Sequence, residues 1–181
     1  MALTRTQIVD AAYRLLAEDG LGGLTMRRLA QSLGVQPGAT YYHVASKQEL
    51  LVAVAERILG QAEISGEELA RAALDIRAAL LPIRDSADVI SFVNAFRPEA
   101  LIQFRELERL FGARLPPQQA RWAARTLIHY VLGFIAEEQN QAELIRARIV
   151  TNPPDPDESE QAFRFGVESI LRGFPIPGSN A

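Results

Sequence analysis

The residues with the most chemistry for their length lie between Leu24 and Leu51, in the run LTMRRLAQSLGVQPGATYYHVASKQELL. Lys47, the only lysine of the chain, directly follows Ser46, a residue suited to capping a helix. An ammonium beside a helix N-terminus is placed to hold a phosphate, because the backbone N–H groups there also favour anions. Tyr41, Tyr42 and His43 bring polar tips on flat apolar bodies. Gly38 and Ala39 carry almost no side chain that would hold the backbone away from a partner. Two short helices joined by Leu33-Gly34-Val35 suit a helix-turn-helix, whose second helix enters the major groove of DNA and touches base edges with its early residues. Nothing elsewhere suggests catalysis. There is no nucleophile–base pair, no phosphate-binding Gly-rich loop and no acidic pair with catalytic spacing, so the chain is not expected to be an enzyme.

The elements that must position these residues are helical, and no stretch alternates with period two. Thr4-x-x-Gln7 opens a first helix, with Ile8, Ala12, Leu15 and Leu16 as its buried stripe and Gly20 as its stop. Thr25 caps a second, in which Met26, Leu29, Ala30 and Leu33 share a face. A third fits Pro37 to Tyr42, with proline where its missing N–H costs nothing. Ser46 and Glu49 form another capping box, opening a fourth helix to about Gln61. Further helices are read over Glu67 to Leu81, Ser86 to Phe96 and Pro98 to about Ala113. A long helix then runs from Pro116 and Pro117 to about Arg148, apolar nearly all round in its middle. The stretch from Thr151 to Asp157 is a loop by composition. In the last helix Phe163, Val167, Ile170 and Phe174 form a seam opposite Glu160, Arg164, Glu168 and Arg172. The fold class is therefore all-α, with about nine helices. A small helix-turn-helix unit over residues 1–45 is carried on a larger helical bundle over 46–181, joined through the helix at 46–61.

Composition narrows the classes. The chain has 181 residues, 19 Lys plus Arg, 22 Asp plus Glu, 2 His and no Cys, for a formal charge of −3. Without cysteine there is no disulfide framework, thiolate zinc site or thiol nucleophile, and a cytoplasmic protein is the simplest reading. The two histidines leave little for a metal site, and no metal or cofactor is expected. The longest apolar run, Tyr130 to Ala136, is far short of the roughly 18 residues of a membrane span. The start Met-Ala-Leu-Thr-Arg leads straight into a polar helical pattern, so no signal peptide is expected. The acidic total argues on its face against a nucleic-acid partner. Residues 1–50, however, hold Arg5, Arg14, Arg27, Arg28 and Lys47 against Asp10, Glu18, Asp19 and Glu49, so the acidity belongs to the remainder.

The pattern Gly23, Thr25, Leu29-Ala30, Gly34-Val35, Tyr41, an aromatic-His pair and Ser46-Lys47-x-x-Leu50-Leu51 resembles the DNA-binding domain of the TetR family of bacterial transcription regulators. The runs His129 to Gln139 and Ala162 to Gly173 are similar, more loosely, to the last long helices of the tetracycline-repressor branch of that family. The resemblance implies that Thr25 and Arg27 contact the backbone and a base edge. It assigns Gln36, Pro37, Gly38 and Ala39 to the specificity-bearing start of the reading helix, and Tyr41, Tyr42, His43 and Lys47 mainly to phosphates. Glu137 matches a position that helps bind a magnesium-chelated drug in that branch. Ile90 stands where the branch places a histidine ligand, which argues against magnesium–tetracycline recognition here.

An effector cavity would draw on Phe92, Asn94, Phe96, Arg97, Gln103, Phe104, Trp122, Tyr130, Phe134 and Glu137, mostly apolar with a few polar groups. His129, two turns from Glu137, is read as a hydrogen-bonded helix residue rather than half of a metal pair. Phe163, Val167, Ile170 and Phe174 are expected to join two protomers. These features together indicate a homodimeric repressor that binds a palindromic double-stranded operator and is released by a small molecule. The alternative is a helical small-molecule-binding protein with a vestigial DNA-binding domain.

Overall fold

The computed structural model describes residues 3–62, 64, 68–151 and 155–174. Among them are nine α-helices, one short 3₁₀ turn and no strand. They are α1 (Arg5–Gly23), α2 (Met26–Ser32), α3 (Pro37–His43), α4 (Lys47–Leu59), α5 (Leu69–Leu80), α6 (Ser86–Phe96), the 3₁₀ turn (Pro98–Ala100), α7 (Ile102–Gly112), α8 (Pro117–Arg146) and α9 (Pro156–Gly173). Glu67 and the loop residues 152–154 lie outside the described residues.

The helices pack as two units that do not follow the boundary drawn at residue 45. One holds the chain up to Gln61 together with Ala79–Leu101; the other holds Ala62–Ala78 and the chain from Ile102 onward. In the first, α1 packs on α4 and α2 on α3, and α6 lies against α4. Ile8, Leu16, Leu24, Leu29, Leu50, Ile58 and Ile90 are fully buried in its core. Ile90, which lacks the imidazole of a metal ligand, is thus a packing residue. Thr4 and Gln7 make both halves of the capping box at the start of α1.

Gly20 does not stop α1 as its position suggests. The helix breaks there, at φ 71°, and resumes to Gly23. The break releases the Leu21 N–H, which donates to the Asp85 carboxylate at 2.7 Å, while the Arg84 guanidinium donates to the Glu18 carbonyl. The start of α6 is therefore fastened to the end of α1. A second difference lies after Phe96. The single helix read from Pro98 is split at Leu101, which leaves helical geometry (φ −89°, ψ 80°) and is buried.

In the second unit α7 packs along α8, and α9 crosses α8. The crossing is built on aromatic rings: Phe163 lies 5.7 Å from Tyr130 and 5.3 Å from Phe134, centroid to centroid. The Tyr130 hydroxyl donates to the Phe163 carbonyl at 3.1 Å. Beside them the Arg77 guanidinium sits 5.3 Å over the Phe163 ring and pairs with Glu138, which also accepts from the Ser159 hydroxyl. Arg77 and Glu138 are largely buried, so losing either would strand the other's charge at a cost of about 3–5 kcal/mol.

This arrangement corrects the reading of the α9 seam. Phe163 and Val167 are buried within the protomer, and Phe174 meets Phe111 edge-on at 5.2 Å. Ile170 is half-buried on the same side. The seam closes α9 onto its own bundle, because the ring cluster under it supplies more apolar contact than the sequence pattern alone reveals. The opposite face carries the ion pairs Glu160–Arg164 and Glu168–Arg172.

The α8–α9 crossing depends on Gly166, where a Cβ would fall 2.0 Å from the Tyr130 hydroxyl oxygen. Gly166→Ala is expected to destabilise the protein by about 1–3 kcal/mol in urea unfolding, the usual range for overpacking. Adding Tyr130→Phe should recover part of that stability by removing the crowded oxygen. No recovery would mean that the backbone, not this contact, sets the crossing.

Candidate nucleic-acid interface

The turn between α2 and α3 is set by backbone bonds: Gly34 N–H donates to the Gln31 carbonyl at 3.1 Å and Val35 N–H to the Ala30 carbonyl at 3.0 Å. Gly34 adopts φ 67°, a region that favours glycine. The Thr25 hydroxyl caps α2 by accepting from the Arg28 N–H at 3.2 Å. Of the seven residues of α3, Thr40 alone is buried, and its hydroxyl donates to the Pro37 carbonyl at 2.7 Å. Val44, also buried, fixes the chain where α3 ends.

Everything else on α3 is turned outward or sits half-covered. Gln36 occupies the N-cap position but makes no side-chain cap bond, so its amide is available. Pro37 and Gly38 are exposed and Ala39 is half-buried. Tyr42 is 88% exposed and stands edge-on to His43, with ring centroids 5.2 Å apart; Tyr41 is exposed as well. Lys47 is the first residue of α4, and among the described residues it forms no ion pair.

The two arginines of α2 have different roles. Arg28 pairs with Asp19 and donates to the Gly23 carbonyl at 3.3 Å, which ties α2 back to α1. Arg27 is exposed and makes no ion pair among the described residues, which leaves its guanidinium for a base edge or a phosphate. Thr25, Arg27, Gln36 through Ala39, Tyr41 through His43 and Lys47 thus fall on two short helices, their connecting turn and the start of a third helix, all within the first unit. The composite offers hydrogen-bond donors, flat rings and one ammonium around a backbone with small side chains. That chemistry fits a DNA groove flanked by phosphates.

Arg97, expected among the residues of an effector cavity, makes an ion pair within the first unit. Its guanidinium grips Glu49 in the first turn of α4, with Nη1 to Oε2 at 2.8 Å and a second bond between Nη2 and Oε1. The guanidinium holds the Glu49 carboxyl below the usual carboxylate range, chiefly through that hydrogen bond, and Glu49 raises Arg97 in turn. Ser46 accepts from the Glu49 N–H at 3.1 Å, so only half of the anticipated capping box is made. A partner 48 residues away left no trace in local spacing.

The other cavity candidates are dispersed. In the first unit Phe92 and Phe96 stack on each other, 5.6 Å apart, and both are exposed, while Asn94 is half-buried. In the second, Phe104 is core, Gln103 is half-buried, Tyr130 and Phe134 belong to the ring cluster, and Trp122 and Glu137 face outward. His129, read as a helix-interior residue, is exposed as well. No group of three or more His, Cys, Asp or Glu side chains suited to a metal occurs among the described residues. The second unit does hold an apolar pocket of about 190 Å³ walled by Leu69, Phe111, Leu115, Leu171 and Phe174, none of them among the candidates.

Gly38 has the conformation of an ordinary helical residue, and a Cβ there would meet nothing within 4 Å. The fold gives no reason for glycine at that place, although glycine costs a helix up to about 1 kcal/mol relative to alanine. Gly38→Ala is therefore expected to raise the unfolding free energy slightly while weakening DNA binding. A variant that is stabilised and binds DNA as before would remove Gly38 from the interface.

Residues 8–54 match the family described as bacterial regulatory proteins, tetR family. The tetracycline repressor protein class D of Escherichia coli is 32% identical, over 96% of this chain and 90% of that protein. The crystal structure of Mycobacterium smegmatis BioQ is 35% identical with a TM-score of 0.86, covering 94% of this chain and 97% of the other. BioQ with its natural double-stranded DNA operator superposes with a TM-score of 0.79 at 34% identity, over 94% and 97% of the two chains. A variant of TetR from Acinetobacter baumannii AYE in complex with minocycline gives 0.79 at 32% identity, over 95% and 96%.

Proposed function

The chain belongs to the tetR family of bacterial regulatory proteins, and from that premise we propose that it is a homodimeric transcriptional repressor whose hold on DNA is released by a small molecule. The observation that carries the proposal is the set Arg27, Gln36, Tyr41 and Tyr42, exposed on a helix pair, with the half-buried Lys47 at the start of the helix that follows. Such a set also speaks against a vestigial DNA-binding domain. The existence of a relative solved with its operator supports the reading in kind.

In this reading residues 1–45 form the reading head, α4 connects it, and the chain beyond holds the effector and the partner protomer. Each head places α3 in a major groove, with half-sites one helical turn, about 34–36 Å, apart on an inverted repeat. Arg27 and Gln36 would touch base edges, and Tyr41, Tyr42, His43 and Lys47 phosphates. Operator binding places the protein in the cytoplasm. The effector would be a largely apolar molecule; Ile90 in the core leaves no imidazole at the position that would serve a magnesium chelate.

Dimerisation would use the face that α8 and α9 leave open. Trp122 is 60% and Phe165 71% exposed, and Thr126, His129, Gly133, Ala162 and Ser169 extend the same outward rows. Large uncovered rings on two packed helices are what a partner helix pair would bury.

Selection from random duplexes should recover an inverted repeat; no enrichment would defeat the DNA assignment. On the recovered duplex Lys47→Ala should lower affinity and reduce the salt slope by roughly 0.9 for each phosphate that is no longer neutralised. An unchanged slope would take Lys47 off the backbone. Light scattering is expected to give the mass of two chains, and Phe165→Glu the mass of one. A wild-type chain that stays at one-protomer mass at all concentrations would exclude the dimer.

A further inference from the structure

Glu49 has two possible partners, and which one it holds decides whether the start of α4 is open to a phosphate. It stands three residues after the N-cap Ser46, the place from which an acidic side chain ordinarily reaches back to the N-cap N–H. The same chain shows that arrangement completed at α1, where the Gln7 side chain accepts from the Thr4 N–H at 2.9 Å. At α4 the return half is missing. The Glu49 carboxylate is turned to Arg97, and the Ser46 N–H has no protein acceptor among the described residues. The N-terminus of α4 is therefore left with an unoccupied N–H directly before Lys47.

We propose that Arg97 is a positioning residue for DNA binding, which acts by holding the Glu49 carboxylate away from the Ser46 N–H and so keeps the Ser46–Lys47 corner free for a DNA phosphate. With the carboxylate swung back, α4 would be capped by its own anion, and that anion would stand beside Lys47 in the place a phosphate needs. Both arrangements satisfy Glu49 without unfolding anything. The choice between them is then made chiefly by Arg97, with Arg5 a weaker attraction on the same carboxylate; Arg97's other acidic neighbours are Glu99, 4.0 Å from its Nε, and Glu56. Arg97 is the C-cap of α6, and the chain leaves this unit after Leu101.

The inference rests on the reading of Lys47 as a phosphate contact, and the experiment separates the two. Operator affinity is measured for the full-length wild type, Arg97→Ala, Glu49→Ala and the double variant, on the duplex recovered by selection and over a range of salt. Arg97→Ala is expected to weaken binding about two- to fivefold per reading head, the effect of one charge at a helix terminus. Its unfolding midpoint should hardly move, because the capping box replaces the ion pair. Glu49→Ala in the Arg97→Ala background should restore most of the affinity, since no side chain is left to reach back to the Ser46 N–H. If the double variant binds as poorly as Arg97→Ala, the pair is a simple strut and the proposal falls. The proposal falls equally if Arg97→Ala binds like wild type. If Lys47→Ala leaves the salt slope unchanged, it is instead the phosphate reading of Lys47 that fails.

Discussion

A recognition helix of seven residues cannot hold itself together, since isolated helices of fewer than about 12 residues are marginal in water. Nearly all of its side chains must also face a partner, so it has almost nothing with which to bury itself. The rest of the first unit answers that constraint. Thr40 and Val44 anchor α3 from within, and the backbone bonds around Gly34 fix its angle to α2. The Arg28–Asp19 pair closes α2 on α1. Behind them α6 is tied at both ends: by Arg84 and Asp85 to the end of α1, and by Arg97 to the start of α4. A short helix is thus held in place largely by contacts made outside it.

The second unit meets a different constraint, that of holding two long helices in one register. Apolar burial alone is permissive about sliding, and the crossing of α8 with α9 has features that are not. Gly166 admits the Tyr130 hydroxyl, which in turn binds the carbonyl of Phe163. Arg77, Glu138 and Ser159 bring one side chain from each of three helices to one buried point. A buried pair of this kind adds little net stability, yet it penalises every arrangement that separates its partners. The outward rows of α8 and α9 are thereby presented in a defined geometry.

Local patterns were readable in the sequence, and contacts between distant segments were not. Thr4, Thr25 and Ser46 cap the helices they were expected to cap, and the bounds of α3 and α6 come within a residue of their predicted places, because caps, prolines and apolar spacing act over three or four residues. The residues expected to read DNA also lie close in the chain, within some twenty positions of one another, and the fold sets them on neighbouring helices. The errors concern residues whose partners are far along the chain. Glu49 looked like a capping residue and Arg97 like a cavity residue until the fold brought them together. Phe163 and Val167 formed a periodic stripe that a partner could cover as well as the protomer's own α8, and spacing cannot distinguish the two. Leu101 breaks a helix that its own propensity would continue, because burial at that point outweighs the local preference.

The distribution of charge follows the same division between local and global. A formal charge of −3 would repel DNA if it were spread evenly. Within residues 1–50 the basic groups exceed the acidic by one, and the pairs Arg28–Asp19 and Arg57–Asp10 neutralise two of the four acids there. Glu49 is the acid closest in sequence to Lys47, and Arg97, from another helix, neutralises it. What remains unpaired is a small number of placed donors, among them Arg27 and Lys47, without a diffuse basic field. A head of this kind gains little from an arbitrary run of phosphates, since counterion release scales with the number of phosphates neutralised at once. It binds well only where groove shape and phosphate spacing let every donor engage together. The acidic bulk of the chain therefore favours discrimination, because it suppresses attachment that does not depend on fit.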